Sequence, residues 1–272
     1  MTGRADIFMI TYNRTEYVRR SLPRLLETCR DQDRVWIWQN GTHGETVDAV
    51  REHEGHPKIA RVHFSDANLK LREPTNWFWA NATAPFLGKV DDDCLVPHGW
   101  IERLIAIHRD ADRAGVLSCW PFLEEDLDEA LVARKTVELA GHSVMANPWV
   151  GGAGYIMKRA CLERCGLLGD TEGFTTYCLR VCRAGWTVGW PMPPLIMDHM
   201  DDPRSAHTVF KTDEDVLAHR GLTAAWRGID TVEGMTARVK EAARELQTCS
   251  GDWRDYLGWR AKFRRAIRKL KP

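Results

Sequence analysis

The sequence predicts an α/β protein with a mostly parallel central sheet flanked by helices, followed by a helical C-terminal extension. Three observations lead there. Short apolar runs of strand length alternate with helically spaced segments through the first 200 residues. Several runs lack polar alternation, as strands buried on both faces do. Beyond about residue 205 the pattern turns helical and charged, with no further strand signal.

Ile7-Phe8-Met9-Ile10 reads as the first buried strand. Thr11-Tyr12-Asn13-Arg14 forms a turn, and a helix follows with Asn13 as its cap and Glu16 three residues on, in the manner of a capping box. Tyr17, Val18, Leu22, Leu25 and Leu26 give that helix an apolar side, and Pro23 is expected to kink or shorten it. Val35 to Trp38 is a second strand, ended by Gln39-Asn40-Gly41-Thr42, in which Asn-Gly signals a turn. A short helix over 46–53, a short strand over 62–64 and a strand over 86–90 follow, the last running directly into Asp91-Asp92-Asp93. A helix over 98–111 and a strand over 116–120 complete this half. Trp149 to Lys158 reads as a strand with Gly151, Gly152 and Gly154 near its start, and the bare backbone suits either close approach to a substrate or a bulge. Phe174 to Ala184 is a helix closed by Gly185, and 186–190 and 195–197 are short strands. The expected organisation is a domain over 1–205, in halves of about 1–120 and 121–205, and a helical extension over 206–272.

Composition excludes several classes. Lysine plus arginine and aspartate plus glutamate number 38 each, and hydrophobic residues make up 44%, so disorder is not the main state. No apolar run approaches the ~20 residues that span a bilayer. The first residues lack the apolar stretch of a secretion signal. A cytoplasmic protein is expected, with contact at the inner membrane face open through its tail. From Arg254 to the end the chain carries a net charge of +7, balanced by −7 before it. There Trp259, Phe263, Ile267 and Leu270 make one apolar stripe on an otherwise basic helix. Such a helix suits an anionic membrane surface or the acidic body of the same chain. Nucleic acid is not an expected partner, because the basic residues are not set in a recognised binding fold.

The eight cysteines do not suggest a disulfide framework in a chain of this size. Cys161/Cys165 and Cys178/Cys182 are each spaced to share one helix face, which fits core packing better than a four-thiolate zinc site.

Three adjacent carboxylates at a strand end repel one another, and a cation normally offsets this. Mg²⁺ and Mn²⁺ prefer oxygen ligands. In an extended segment Asp91 and Asp93 would point to one side, to share one ion or to divide between an ion and a sugar hydroxyl. A solvated acidic loop is the alternative. His199, in Asp198-His199-Met200-Asp201-Asp202, sits among acids after a strand and reads as a further ligand or as a structural histidine.

Four segments together carry a resemblance: IFMITYNRTEYVRRSL, VWIWQNGT, FLGKVDDDCLVPHGWIERL, and GGAGYIMKRACLERCG followed by CLRVCRAGWTVG. In this order and spacing the chain resembles the GT-A glycosyltransferases, particularly glycosyltransferase family 2, over roughly residues 5–200. The resemblance implies a metal-dependent transfer of sugar from a nucleotide diphosphate sugar, a UDP-sugar first, to an acceptor hydroxyl, with inversion. It places Thr11, Tyr12, Asn13 and Arg14 at the base and ribose. Gln39 stands where the family usually has a uracil-binding aspartate, and its amide carbonyl can still accept a hydrogen bond. Arg72 and Asn76 fall where a positive or amide group borders the nucleotide. The acidic triplet matches the Asp-x-Asp signature, with Asp91 and Asp92 at the nucleotide sugar and Asp91, Asp93 and His199 at Mn²⁺ or Mg²⁺. The family's base would fall on Gly173-Phe174, neither of which is a base, so Asp170 and Glu172 are the candidates. Trp149, Gly151 and Gly152 are the candidate acceptor contacts; stacking on a sugar and core packing both suit the tryptophan. Two rivals stay open: nucleotidyl transfer onto a sugar phosphate, which usually needs a glycine-rich loop that 11–14 lacks, and a degenerate nucleotide-binding or membrane-docking protein.

Overall fold

A computed structural model describes residues 3–221, 224–225 and 227–258. The basic amphipathic tail over 259–272 therefore lies outside the described residues. The strands are β1 (Ala5–Thr11), β2 (Arg34–Asn40), β3 (Ile59–Ser65), β4 (Phe86–Asp91), β5 (Cys94–Leu95), β6 (Ala114–Ser118), β7 (Thr136–Leu139), β8 (His142–Ala146), β9 (Tyr155–Lys158), β10 (Thr187–Pro191) and β11 (Asp198–His199). The helices are α1 (Thr15–Thr28), α2 (Gly44–Arg51), α3 (Arg72–Asn81), α4 (Trp100–Asp110), α5 (Glu129–Lys135), α6 (Arg159–Cys165), α7 (Phe174–Arg183), α8 (Asp213–His219) and α9 (Val232–Thr248).

Nine strands form one sheet in the order β3-β2-β1-β4-β9-β6-β10-β8-β7. The β3-β2-β1-β4 half is parallel. β9 enters antiparallel between β4 and β6, and β7 and β8 add an antiparallel edge. The sheet is thus parallel through its β3-β2-β1-β4 half and mixed beyond it.

β1 is buried along its whole length because helices cover both faces. Its side chains alternate between the two layers. Ile7 and Met9 pack with α1, α2 and α4, through Leu22, Val50 and Leu104. Phe8 and Ile10 pack with α3 and α7, through Phe78, Trp79 and Tyr177. Asp6 is the charged residue on this buried strand; its Oδ2 accepts from the Thr83 and Ala84 amides, both at 2.9 Å, and so anchors the turn that leads into β4. Register aligns the parallel strand ends: Ile10 pairs with Asp91, and Thr11 with Gln39. Open α/β sheets bind ligands at such ends.

Several expectations change. Asn13 does not cap α1: its φ of 51° puts it in the left-handed region, and Arg14 takes the cap position without a side-chain bond. α1 continues through Pro23 to Thr28. Only Tyr155–Lys158 of the expected 149–158 strand is extended in the sheet; the glycine segment before it is loop. β7 and β8 lacked a sequence signal because Thr136–Leu139 is a short, largely exposed edge. α6 and α7 carry the paired cysteines, with Cys161 and Cys178 fully buried and all eight thiols free. Among the described residues the four do not come together at metal-ligand spacing.

Candidate active site

The parallel strand ends open into a cleft of about 990 Å³ bordered by Tyr12, Asn13, Arg14 and Asp91 to Asp93. The chain turns at Asp92-Asp93 rather than running on extended, so the three carboxylates diverge. Asp91 meets Lys89 Nζ, and that ammonium also donates to the Gly152 carbonyl at 3.1 Å. Lysine is rarely buried unless paired, and Lys89 is 4% exposed. Asp92 Oδ2 accepts from the Tyr12 amide at 3.1 Å, tying the end of β4 to the end of β1. Asp93 Oδ2 and Asp201 Oδ2 each accept from Arg14, at 2.9 Å.

The electrostatics follow from burial and this pairing. Burial and the charge of Asp93 hold the Asp92 carboxyl well above its ordinary range. Burial also raises Asp91, against the opposing pull of Lys89. Burial acts the same way on Asp93, but His199 and Arg14 outweigh it and hold that carboxyl below its ordinary value. Burial opposes the charge on Arg14, yet Asp201 and Asp93 raise its pKa overall. The site keeps Asp93 ionised and Arg14 charged.

His199 arrives through pairing of β11 with β5, in which it lies directly opposite Cys94. The Met200 amide donates to the Asp93 carbonyl at 2.7 Å, and Tyr17 Oη donates to the Met200 carbonyl at 2.8 Å. His199 Nε2 stands 3.9 Å from Asp93 Oδ1. Asp93, Cys94 and His199 form the group at metal-ligand spacing, their donor atoms all within 4.8 Å of one another. Asp201 Oδ1 is buried without a hydrogen-bond partner, as an oxygen reserved for a cation would be. The donor set therefore fits a divalent ion, with Asp93 and His199 at its centre.

Other expected site residues stand elsewhere. Gln39 is fully buried; its Oε1 accepts from Thr11 Oγ1 and its Nε2 donates to the Asn40 carbonyl at 2.7 Å. Thr11 and Gln39 thus satisfy each other beneath the cleft, whereas Asn40 borders it. Arg72 is exposed at the start of α3 and does not line the cleft. Asn76 exchanges two hydrogen bonds with the Leu168 backbone, at 3.0 and 2.9 Å, and so holds the loop after α6. Glu172 accepts from Arg180 Nε and Nη2 at 2.8 and 2.6 Å. That bidentate pair fixes the loop before α7. Asp170 is exposed on the same loop, away from the lining of the cleft. Trp149 packs edge-on against Tyr256, with ring centroids 4.7 Å apart. An added Cβ at Gly151 or Gly152 would meet nothing within 4 Å, so the segment borders open space. Cys94 emerges as a part of the site that the sequence reading passed over, set opposite His199 by strand pairing, and Asp201, expected either to orient His199 or to lie on the surface, is instead held by Arg14.

A family model, Glycosyl transferase family 2, matches residues 6–155. The chain belongs to glycosyl transferase family 2. As a member of that family it is a glycosyltransferase, and solved structures agree on the fold. A mannosyltransferase, PcManGT from Pyrobaculum calidifontis, in complex with GDP-Man and Mn²⁺, superposes with a TM-score of 0.60 at 16% identity, covering 99% of this chain and 81% of that one. TarS 1–349 of S. aureus superposes at 0.54 and 11% identity, over 97% and 92%. The same protein in complex with UDP-GlcNAc gives 0.53 at 13% identity, over 68% of this chain and 55% of that one. No curated protein matches the chain. Among the described residues no helix is long and apolar enough to cross a membrane.

Proposed function

We propose that this family 2 glycosyltransferase binds a nucleotide diphosphate sugar in the cleft at the β1, β2 and β4 ends and passes the sugar, with inversion, to an acceptor hydroxyl. The observation that carries the reading is the convergence of Arg14, Asp93, Asp201 and His199 at those strand ends. Tyr12, Asn13 and Arg14 border the nucleotide. A UDP-sugar, the class bound by TarS, is the first donor to test, with GDP-Man, bound by PcManGT, as the comparison. Mn²⁺ or Mg²⁺ would supply Lewis-acid neutralisation of the leaving diphosphate. Asp93 and His199 would hold that ion, and Arg14 would hold Asp93 and Asp201 in place around it.

The test is release of nucleotide from UDP-GlcNAc and from GDP-Man with Mn²⁺, with EDTA, and with Asp93→Ala. The reading expects turnover that EDTA abolishes and that Asp93→Ala lowers by at least about a hundredfold, the scale of losing one electrostatic stabiliser of a transition state. Undiminished turnover in Asp93→Ala ends the metal assignment.

A further inference from the structure

We propose that Cys94 is a metal ligand of this site, through its sulfur, and that the site accordingly favours a thiophilic divalent ion of the zinc, cobalt or cadmium class over magnesium. The inference rests on the reading that Asp93 and His199 hold a divalent ion, and it adds the third protein donor.

The geometry comes from strand pairing. Residues directly opposite on antiparallel strands project from the same face with Cβ atoms roughly 4.5–5.5 Å apart. Cys94 and His199 are such a pair. Asp93 adjoins Cys94 in sequence, and the Cys94 thiol donates to Asp93 Oδ1 at 3.2 Å. The same Oδ1 lies 3.9 Å from His199 Nε2. Donors on a tetrahedral zinc ion, with bonds of about 2.0 Å to N or O and 2.3 Å to S, stand roughly 3.3–3.5 Å apart. Here sulfur and oxygen stand 3.2 Å apart, oxygen and nitrogen 3.9 Å, and all three donors lie within 4.8 Å of one another, so an ion needs only a small closing of the imidazole toward the other two.

The two oxygens of Asp93 divide the work. Oδ2 receives Arg14, whereas Oδ1 faces the thiol and the imidazole. An ion on Oδ1 therefore leaves the arginine bridge in place. On binding, a metal–sulfur bond forms, and the thiol proton, now shared with Asp93 Oδ1, leaves to solvent. Hard Mg²⁺ demands octahedral oxygen ligands and gains little from sulfur, whereas zinc and cobalt take sulfur and imidazole readily.

Cobalt reports the ligands directly. The full chain is titrated with Co²⁺ alone and its absorption recorded. The proposal expects visible d–d bands together with an intense near-ultraviolet thiolate-to-cobalt band. Cys94→Ser should remove the ultraviolet band and weaken Co²⁺ binding by at least about tenfold. Cys29→Ser, a buried cysteine outside the site, should change neither. In case Cys94→Ser does not fold, zinc-edge X-ray absorption of the unaltered chain with one equivalent of Zn²⁺ should show one sulfur neighbour at about 2.3 Å. Visible bands without the ultraviolet one, or an ultraviolet band that survives Cys94→Ser, overturn the role of Cys94 and leave the divalent-ion reading standing. No cobalt absorption of either kind overturns both.

Discussion

Arg14 shows how much one side chain organises. Its two amino groups bridge Asp93, just after β4, and Asp201, just after β11, and its guanidinium lies 5.1 Å from the Tyr17 ring centroid. The planar fork of arginine suits two carboxylates at once, which the point charge of lysine does not. Arg14→Met leaves two carboxylates facing each other with no fixed cation. Nucleotide-sugar binding measured by calorimetry is expected to weaken at least about tenfold. Arg14 also helps hold Asp93 low, so its loss raises that carboxyl. The acid limb of the activity profile should then move to higher pH. Arg14→Lys should restore the position of the limb better than the affinity. The local sequence marks Arg14 as a turn residue near a nucleotide; it does not reveal Asp201 as the second partner, 187 positions away.

At the scale of elements, the mixed half of the sheet depends on close backbone approach. β10 pairs with β8 with Gly189 opposite Ala146. A Cβ at Gly189 would fall 2.2 Å from the Met145 carbonyl oxygen, and a backbone atom cannot swing aside as a flexible side chain does. Gly189→Ala should therefore force the strands apart and destabilise the protein by about 1–3 kcal/mol or more, read from denaturant midpoints. The parallel strands were legible from their apolar runs. β7 was not, because an edge strand with exposed residues shares its composition with loops, and β8 was not, because it buries only the two residues Val144 and Met145. The glycine segment before β9 reads as strand for the converse reason: its small apolar residues continue the run, while in the fold Gly151 and Gly152 border open space outside the sheet.

The whole molecule responds to pH through a buried residue far from any catalytic role. His108 on α4 is fully buried, with Nδ1 3.1 Å from the Ala114 carbonyl and Nε2 2.9 Å from the Ile156 carbonyl. It thus joins α4 to β6 and β9. Burial pulls its pKa down to about 4, against those two carbonyls, each of which favours the protonated ring. The folded state therefore prefers the neutral ring, and the unfolded state binds the proton first as pH falls. This stability is fully present above the unfolded value near 6.5 and is lost as pH drops toward 4, by about 3 kcal/mol in all. Urea unfolding at pH 7 and pH 4.5 should show the loss, and His108→Gln should flatten that part of the profile.

The sequence by itself determined the alternation of elements, the buried parallel strands, the acidic triplet at the end of β4 and the family. Each is written in short-range pattern: apolar runs, turn residues and contiguous motifs. Only the tertiary structure decided which polar residues meet. Gln39 and Thr11 look like ligand residues in sequence, yet the shared register of β1 and β2 turns them onto each other below the cleft. Glu172 looks like a base, yet Arg180, nearly two turns into α7, binds it. His199, Cys94 and Asp201 join the site through a two-stranded pairing and one arginine, contacts between residues about a hundred or more positions apart. Propensity acts between neighbours in the chain, whereas ion pairs and metal sites depend on neighbours in space.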